Sequence, residues 1–428
     1  MGAPEGAYAA ESFERINLFN GHVNLSFPLH RVEGRGGLGY TIALTVEQAW
    51  TIRTLGGPMT QGTEYPWYNL RSYNDLEPGY GPGVMVGRKT SYGKLCGQNG
   101  YIQTSLTRLT FTSADGTEYE FRDAQAGLDG RPVAIGCGGA LPNRGRLWVT
   151  ADGSFASFRS DNAITDIGNT TPSDSQESGT VSSTFRVSGD LVLRDGTRYR
   201  LDEGLVTSMQ DRNGNRLTFE YEPVAFPAKP RILAVTDSML RVVSFEYTEQ
   251  DDFIYYTGAE GAERTIQVHR APMSHMLAPF QTIRRYEDLF PGLGGTPQVA
   301  LFNPRLVSEV FLPNNRSFQF SYNSYGEVAE VFPASGGRIA YGYDKGLPDA
   351  AYGGSFSGFT PSGLSEQAIY RRLVERKVFS DGLKNITTYS RPETWSGNGS
   401  VDYVDVDELD ADWNSLRRTR HFFHGSAR

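Results

Sequence analysis

Six carboxylates, Asp402, Asp405, Asp407, Glu408, Asp410 and Asp412, crowd into eleven residues, and hard cations take oxygen ligands of that kind. Their spacing lacks the central glycine of an EF-hand loop, so a solvated acidic face or loop competes with a calcium site and is favoured over it. Asp211-Arg212-Asn213-Gly214-Asn215 opens like a calcium loop, but Arg216 stands where that loop needs glycine, and a turn is the better reading. The histidines His22, His30, His269, His275, His421 and His424 offer one close pair, 421 and 424. Three residues apart on a strand point to opposite faces, so that pair makes a poor metal site. Gly34-Arg35-Gly36-Gly37-Leu38-Gly39 satisfies the dinucleotide fingerprint literally, yet strand-like Tyr40 to Val46 follows where a helix N-terminus should meet the phosphates. A glycine-rich bend is expected there. Gly353 to Gly358 misses the nucleophile elbow by register. No nucleophile, base and orienting acid assemble, and no cofactor or metal is expected.

The elements that would carry such residues are strands. Val23, Leu25 and Phe27 alternate with polar residues, as do Tyr40, Ile42, Leu44 and Val46. Helical periodicity is nearly absent; short helices are expected only around 365–376 and 407–418. Glycine supplies 49 of 428 residues, above the usual ~7%. Much of it sits in turn pairs that tolerate positive φ: Asp115-Gly116, Asp152-Gly153, Asp195-Gly196, Asn213-Gly214 and Asp381-Gly382. Flanked by strand-like runs, these predict two-residue hairpins in series. A net charge of -8 removes the footprint of a general nucleic-acid binder, and no apolar run is long enough for a membrane-spanning helix. Cys96 and Cys137 are too few for a disulfide framework; free thiols or one bridge both fit. The start has no secretory signal in the sequence as given.

Internal similarity organises the second half. Segments 204–221, 231–247, 305–322, 326–343 and 372–389 each open on Gly or Arg, carry an aliphatic pair or near-pair, turn in the middle and end on tyrosine: Tyr221, Tyr247, Tyr322, Tyr343 and Tyr389. Each is one strand-turn-strand unit whose apolar face needs a neighbour, so the units should stack into an array with the tyrosines as cross-strand neighbours. Stacking on sugars or bases is the alternative use of these aromatics.

The contiguous pair of units, with Tyr322, Asn323, Gly326, Pro333, Gly337, Tyr341, Tyr343 and Asp344, resembles the YD repeat of the Rhs (rearrangement hotspot) family. Asp211 to Asn215 before Tyr221 is similar to a variant of its turn, and residues 20–40 are similar to the Rhs amino-terminal region. The unit at 231–247 departs from the pattern, having no glycine in its turn. The resemblance implies an all-β protein, serial antiparallel hairpins forming a long coiled sheet that is part of a hollow β-shell, as in Rhs toxins, toxin-complex cocoon subunits and teneurins. It divides the chain into an amino-terminal β region, 1–200, and a hairpin array, 201–428, with 250–300 as an irregular insertion. The function implied is non-enzymatic: a secreted or cell-surface shell segment that encapsulates or displays a toxin or effector. The implied partner is the rest of a larger polypeptide or its toxin cargo. A cell-surface carbohydrate-binding or adhesion module is the alternative, and a self-cleaving fragment of a longer parent the second; the family's core motif and a toxin domain are not seen. Unpaired sheet edges would favour self-association.

Overall fold

The computed structural model describes residues 7–11, 13–18, 21, 23–46, 50–55, 67–72, 80–96, 99–114, 117–124, 141–150, 153–166, 168–170, 186–223, 230–258, 261–289, 301–345, 359–363, 366–369, 371–390, 395–396, 400–401 and 403–422. Asp115, Gly116, Cys137, Asp152 and Asp402 lie outside them, as do 290–300 and 353–358. The protein is all-β, as the sequence indicates. One antiparallel sheet begins with Gly83–Cys96, Asn99–Ser113, Glu118–Asp123, Asn143–Thr150, Ser157–Thr165, Gly189–Val192, Arg198–Asp202 and Leu205–Gln210. These strands pair in that succession and then close on themselves, Leu205 taking Val84 as its partner. Met85 N–H donating to the Gly204 carbonyl at 2.8 Å fastens the closure.

Beyond the ring the sheet continues as an antiparallel ribbon from Arg216–Tyr221 to Ser415–Phe422. It runs without a break through 200/201, where two regions are expected to meet, since Arg198–Asp202 is paired on both sides. The strands alternate as a half-buried sheet must: in Arg216–Tyr221, Leu217 and Phe219 point into the core and Arg216, Glu220 away from it.

Three expectations change. Residues 251–272, expected within an irregular insertion, form an ordinary hairpin of the ribbon, Asp251–Thr257 with Glu263–Pro272. Asp252 and Ile254, then Ile266 and Val268, alternate toward the core with the period of a strand, although this hairpin lacks the repeat's tyrosine. The segment after it, through the short helix Tyr286–Leu289, is irregular as expected. Where short helices are expected, Arg371–Phe379 is a strand paired on both sides, and residues 403–422 form the hairpin Tyr403–Leu409 with Ser415–Phe422. Ladder pairing overrides the helix propensity of residues such as Arg, Glu and Leu.

A second layer comes from the amino terminus. Ala7–Glu11, Glu14–Asn17, Val23–Glu33 and Gly39–Val46 make a four-stranded antiparallel sheet. The glycine-rich fingerprint is the bend expected, a single 3-10 turn at Arg35–Gly37 between two strands, with Gly36 and Gly37 at φ 72° and 88°. The apolar face of this sheet, Leu25, Phe27, Ile42 and Leu44, is buried in one core with the array. Phe27 meets Phe320 edge-on at 5.0 Å and Phe318 at 5.4 Å, and Tyr40 meets Phe219 at 5.3 Å. A further small sheet joins Trp50–Leu55 and Trp67–Ser72 to Phe359–Gly363 and Glu366–Ile369. Among the described residues no helix is long and apolar enough to cross a membrane.

Candidate functional site: a tyrosine-pinned hairpin array

The repeat hairpins share a turn with a left-handed residue, three of the five carry a tyrosine pin, and buried charges form a seam between layers. Four turns of the ribbon follow one rule. Asp211 Oδ1 accepts the backbone N–H of Asn213 and Asn215 at 2.8 and 2.9 Å, and Gly214 takes φ 86°. Asp237 does the same for Met239 and Arg241 with Leu240 at φ 62°, and Asp410 for Asp412 and Asn414 with Trp413 at φ 65°. Asn323 plays the part for Tyr325 and Glu327, with Gly326 at φ 75°. The side-chain oxygen satisfies the amides of a type I turn, and the fourth residue enters the left-handed region to resume the ladder, which is a three-residue loop with a bulge rather than the two-residue loop expected. At Asp195-Gly196 and Asn213-Gly214 only the glycine has positive φ, while Asp381 and Gly382 both have it, at 52° and 110°. At Asp152-Gly153 the left-handed residue is Phe155, not Gly153. The side-chain amide of Asn215 donates to Asp211 and holds its carboxyl below the ordinary value despite the opposing desolvation. Asn414 does the same for Asp410.

Leu240 is therefore the residue that replaces the missing glycine of the 231–247 unit, and it does so while 82% exposed. A left-handed L-residue costs roughly 1–2 kcal/mol, and nothing buried offsets it here. Leu240→Gly is expected to stabilise the protein by about 1 kcal/mol, read as a higher denaturation midpoint. A lower midpoint would show that Leu240 has a packing role.

The pin is the terminal tyrosine. Tyr221 OH donates to the Val206 carbonyl at 2.9 Å, Tyr247 OH to Ile232 at 2.8 Å and Tyr322 OH to Val307 at 2.6 Å. In each case the acceptor lies fifteen residues earlier, at the start of the same hairpin, so the side chain crosses the unit and ties its last strand to its first. Burial raises all three phenols above their ordinary value, so they stay neutral donors. Tyr341 and Tyr389 are also buried, and Tyr343 packs against the core. The Arg231 guanidinium lies 4.3 Å from the Tyr247 ring centre. The repeat tyrosines thus serve the interior rather than presenting ring faces to a solute. Tyr322 is the most buried of the three with a carbonyl bond, so Tyr322→Phe should cost about 1–3 kcal/mol by stranding a buried carbonyl, and Tyr221→Phe, where water can reach, about 1 kcal/mol. Equal losses in parallel urea titrations would contradict the pin.

The remaining repeat positions are structural as well. Gly337 sits at φ 84° where a Cβ would lie 2.7 Å from the Phe379 carbonyl, so the neighbouring strand needs glycine there. Gly336, beside it, takes φ 94° in the turn that begins at Pro333. Asp344 pairs in register with Arg372.

The seam joins the layers through charges that sequence spacing could not reveal. Arg376 donates from Nε and Nη2 to the two oxygens of Glu14 at 2.7 and 3.0 Å, and both side chains are buried. Burial alone would lower the Arg376 guanidinium; the bonds to Glu14 outweigh it and raise it. Arg372 Nη2 donates to the Leu18 carbonyl and Leu373 N–H to that of Gly21, both at 2.9 Å. Further along, Tyr80 OH and Arg270 Nη2 both donate to Asp252 Oδ2 at 2.7 Å. In the ring, buried Arg144 bridges Asp123 at 2.6 Å and Asp166 at 3.2 Å.

The candidate metal residues are brought to other uses. Asp405 and Asp407 receive Arg420 and Arg418 from the next strand, at 2.7 and 2.5 Å, and Asp410 closes its turn. The acidic run is one side of a cross-strand ion-pair ladder. His269 faces Asp251 at 2.7 Å and His30 stacks on Tyr256, while His22 and His424 lie outside the described residues. Among the described residues no group of three or more His, Cys, Asp or Glu side chains could hold a metal ion.

No protein-family model matches the sequence, and no curated protein matches it. Among solved structures, the chain is similar to the crystal structure of TcdB2-TccC3, at 12% identity over 94% of this chain and 21% of that chain, with a TM-score of 0.23. The TcdB2-TccC3-Cdc42 structure matches at 10% identity over 94% and 21%, TM-score 0.24, and TcdB2-TccC3-TEV at 9% over 84% and 17%, TM-score 0.16. The chain thus spans about a fifth of those chains. The repeat geometry, not this likeness, carries the functional reading.

Proposed function

We propose that this chain is a non-enzymatic shell segment, a length of coiled hairpin array that encloses or displays a toxin or effector polypeptide in competition between cells. The observation that carries the reading is the tyrosine bond to a carbonyl fifteen residues back, repeated in three hairpins. A unit closed by its own pin and turn, with a face that only its neighbours can bury, can be added serially, so wall area grows with repeat number. The side chains that first suggested chemistry support the same reading, because they are spent on turns and ladders. In this view the chain works outside the cell, and its partner is the rest of a larger polypeptide or the cargo.

The test is protease protection. The full polypeptide encoded by the source gene is digested under native conditions and again after the sheet has been loosened with urea. A wall segment predicts a cargo fragment that survives the first digestion and is lost in the second. Cargo cleaved at the same rate in both, or a single chain with turnover of its own toward model hydrolase substrates, would overturn the assignment.

A further inference from the structure

Four arginines of this chain are held in one way, between an aromatic ring and a carboxylate. Arg338 lies 3.9 Å from the Phe379 ring centre and bonds Glu330 at 2.5 Å. Arg371 lies 4.1 Å from Tyr325 and bonds Glu327 at 3.0 Å. Arg420 lies 4.0 Å from Tyr403 and bonds Asp405 at 2.7 Å. Arg231 adds a bond to Glu222 at 2.8 Å to its contact with Tyr247. The planar guanidinium suits both partners at once, its face taking the ring and its fork the carboxylate.

The solvent face of the ribbon carries the same two partners with no arginine on them. Glu246 stands opposite Phe253, and Tyr255 donates its hydroxyl to Glu246 at 3.0 Å. The Phe253 and Tyr255 rings are near-parallel, with centres 6.1 Å apart. Two strands further on, Phe311 lies in the same cross-strand row as Phe253, with Glu309 two residues before it on the same face. That spacing matches Tyr403 and Asp405, but Gln319 stands where the ladder has Arg420 and donates its amide to Glu309 at 3.0 Å. His269, also opposite Glu309 in register, bonds Asp251 instead. Among the described residues neither Glu246 nor Glu309 pairs with a cation, and Phe311 is 40% exposed. The strands that carry these residues are each paired on both sides, so the feature belongs to a sheet face and not to an edge.

We infer that this face is a docking site for an arginine-bearing segment of another polypeptide, one guanidinium seated on Phe253 against Glu246 and a second on Phe311 against Glu309. Strand spacing puts the two seats about 10–14 Å apart, which an extended chain covers in about four residues. Side chains four apart on such a chain point the same way, so the occupant carries Arg-x-x-x-Arg. Charge selects it. Within the chain the two carboxylates receive only neutral donors, a hydroxyl and an amide, so an incoming guanidinium gains both charge and ring without displacing a cation. The inference is independent of the shell reading.

The probe is a labelled, end-blocked peptide of sequence GRSGSRG, titrated by fluorescence anisotropy against the intact 428-residue protein. Saturable binding is expected. The same peptide with citrulline in both arginine positions keeps the planar shape without the charge, and should bind roughly tenfold more weakly. The lysine peptide keeps the charge without the planar face and should also bind more weakly, by about threefold. On the protein, E246Q/E309Q and F253L/F311L should each weaken the arginine peptide roughly tenfold. That factor equals about 1.4 kcal/mol, within the reach of two exposed cation–π contacts. E203Q/D412N, which removes the same charge from other hairpins, should leave binding unchanged. No saturation, equal binding of the arginine peptide and either substitute, or an equal loss in E203Q/D412N would overturn the inference. So would capture of a glycan that F253L/F311L abolishes, with no peptide binding, which gives the rings to a sugar. Protection of cargo from protease bears on the shell assignment alone, so the two proposals can fail separately.

Discussion

Arg376→Met is expected to lower stability by about 3–5 kcal/mol, because it takes from the buried Glu14 carboxylate the guanidinium that bonds both its oxygens. The pair itself need not be stabilising by that amount. Two charges taken out of water cost several kcal/mol, and their mutual attraction with two good hydrogen bonds roughly returns it. The double variant E14L/R376M should therefore recover most of the loss. A urea titration of the two singles and the double gives the coupling directly, and a double as weak as the worse single would show that the seam depends on shape alone. Because Glu14 belongs to the amino-terminal sheet and Arg376 to the array, the same variants should show earlier proteolytic release of residues 1–46.

Phe27→Ala should cost about 3–5 kcal/mol through the other half of that interface. The ring is fully buried, lies 4.7 Å from Phe13 in its own layer and meets Phe318 and Phe320 across the core. Truncation removes contacts on both sides and leaves a cavity that two paired sheets cannot readily collapse. Phe27→Leu, which keeps most of the volume, should recover more than half. With Arg376→Met the loss should be less than additive, since either change loosens the same layer. Full additivity would mean that the ionic and aromatic contacts act independently.

How much of this can be read from sequence depends on distance along the chain. The hairpins are legible because turn residues and terminal tyrosines recur within a single unit, and the pin spans fifteen residues. At 403–422 the Asp-x-x-x-Asn spacing of Asp410 and Asn414 repeats that of Asp211 and Asn215, but the helix expected over 407–418 passes over it, and the acids there suggest a cation site instead. Arg371–Phe379 misleads because its composition suits a helix; only its two flanking strands decide otherwise. The seam has no local trace at all. Glu14 is one of 49 acidic residues, and nothing near it names a partner 362 positions away. The hairpin at 251–272 escapes a search keyed to the repeat's tyrosine, because alternation alone marks it.

The amino-terminal layer has a consequence for the order in which the molecule can be made. Its apolar residues leave the ribosome first, yet the strands that cover Phe27 include residues 317–322, and the counter-charge of Glu14 arrives at residue 376. Most of the ribbon needs only its preceding neighbour, so it can form as it emerges, whereas this first sheet waits for most of the chain. During that interval Leu25, Phe27, Ile42 and Leu44 form an uncovered apolar strip beside growing strand edges.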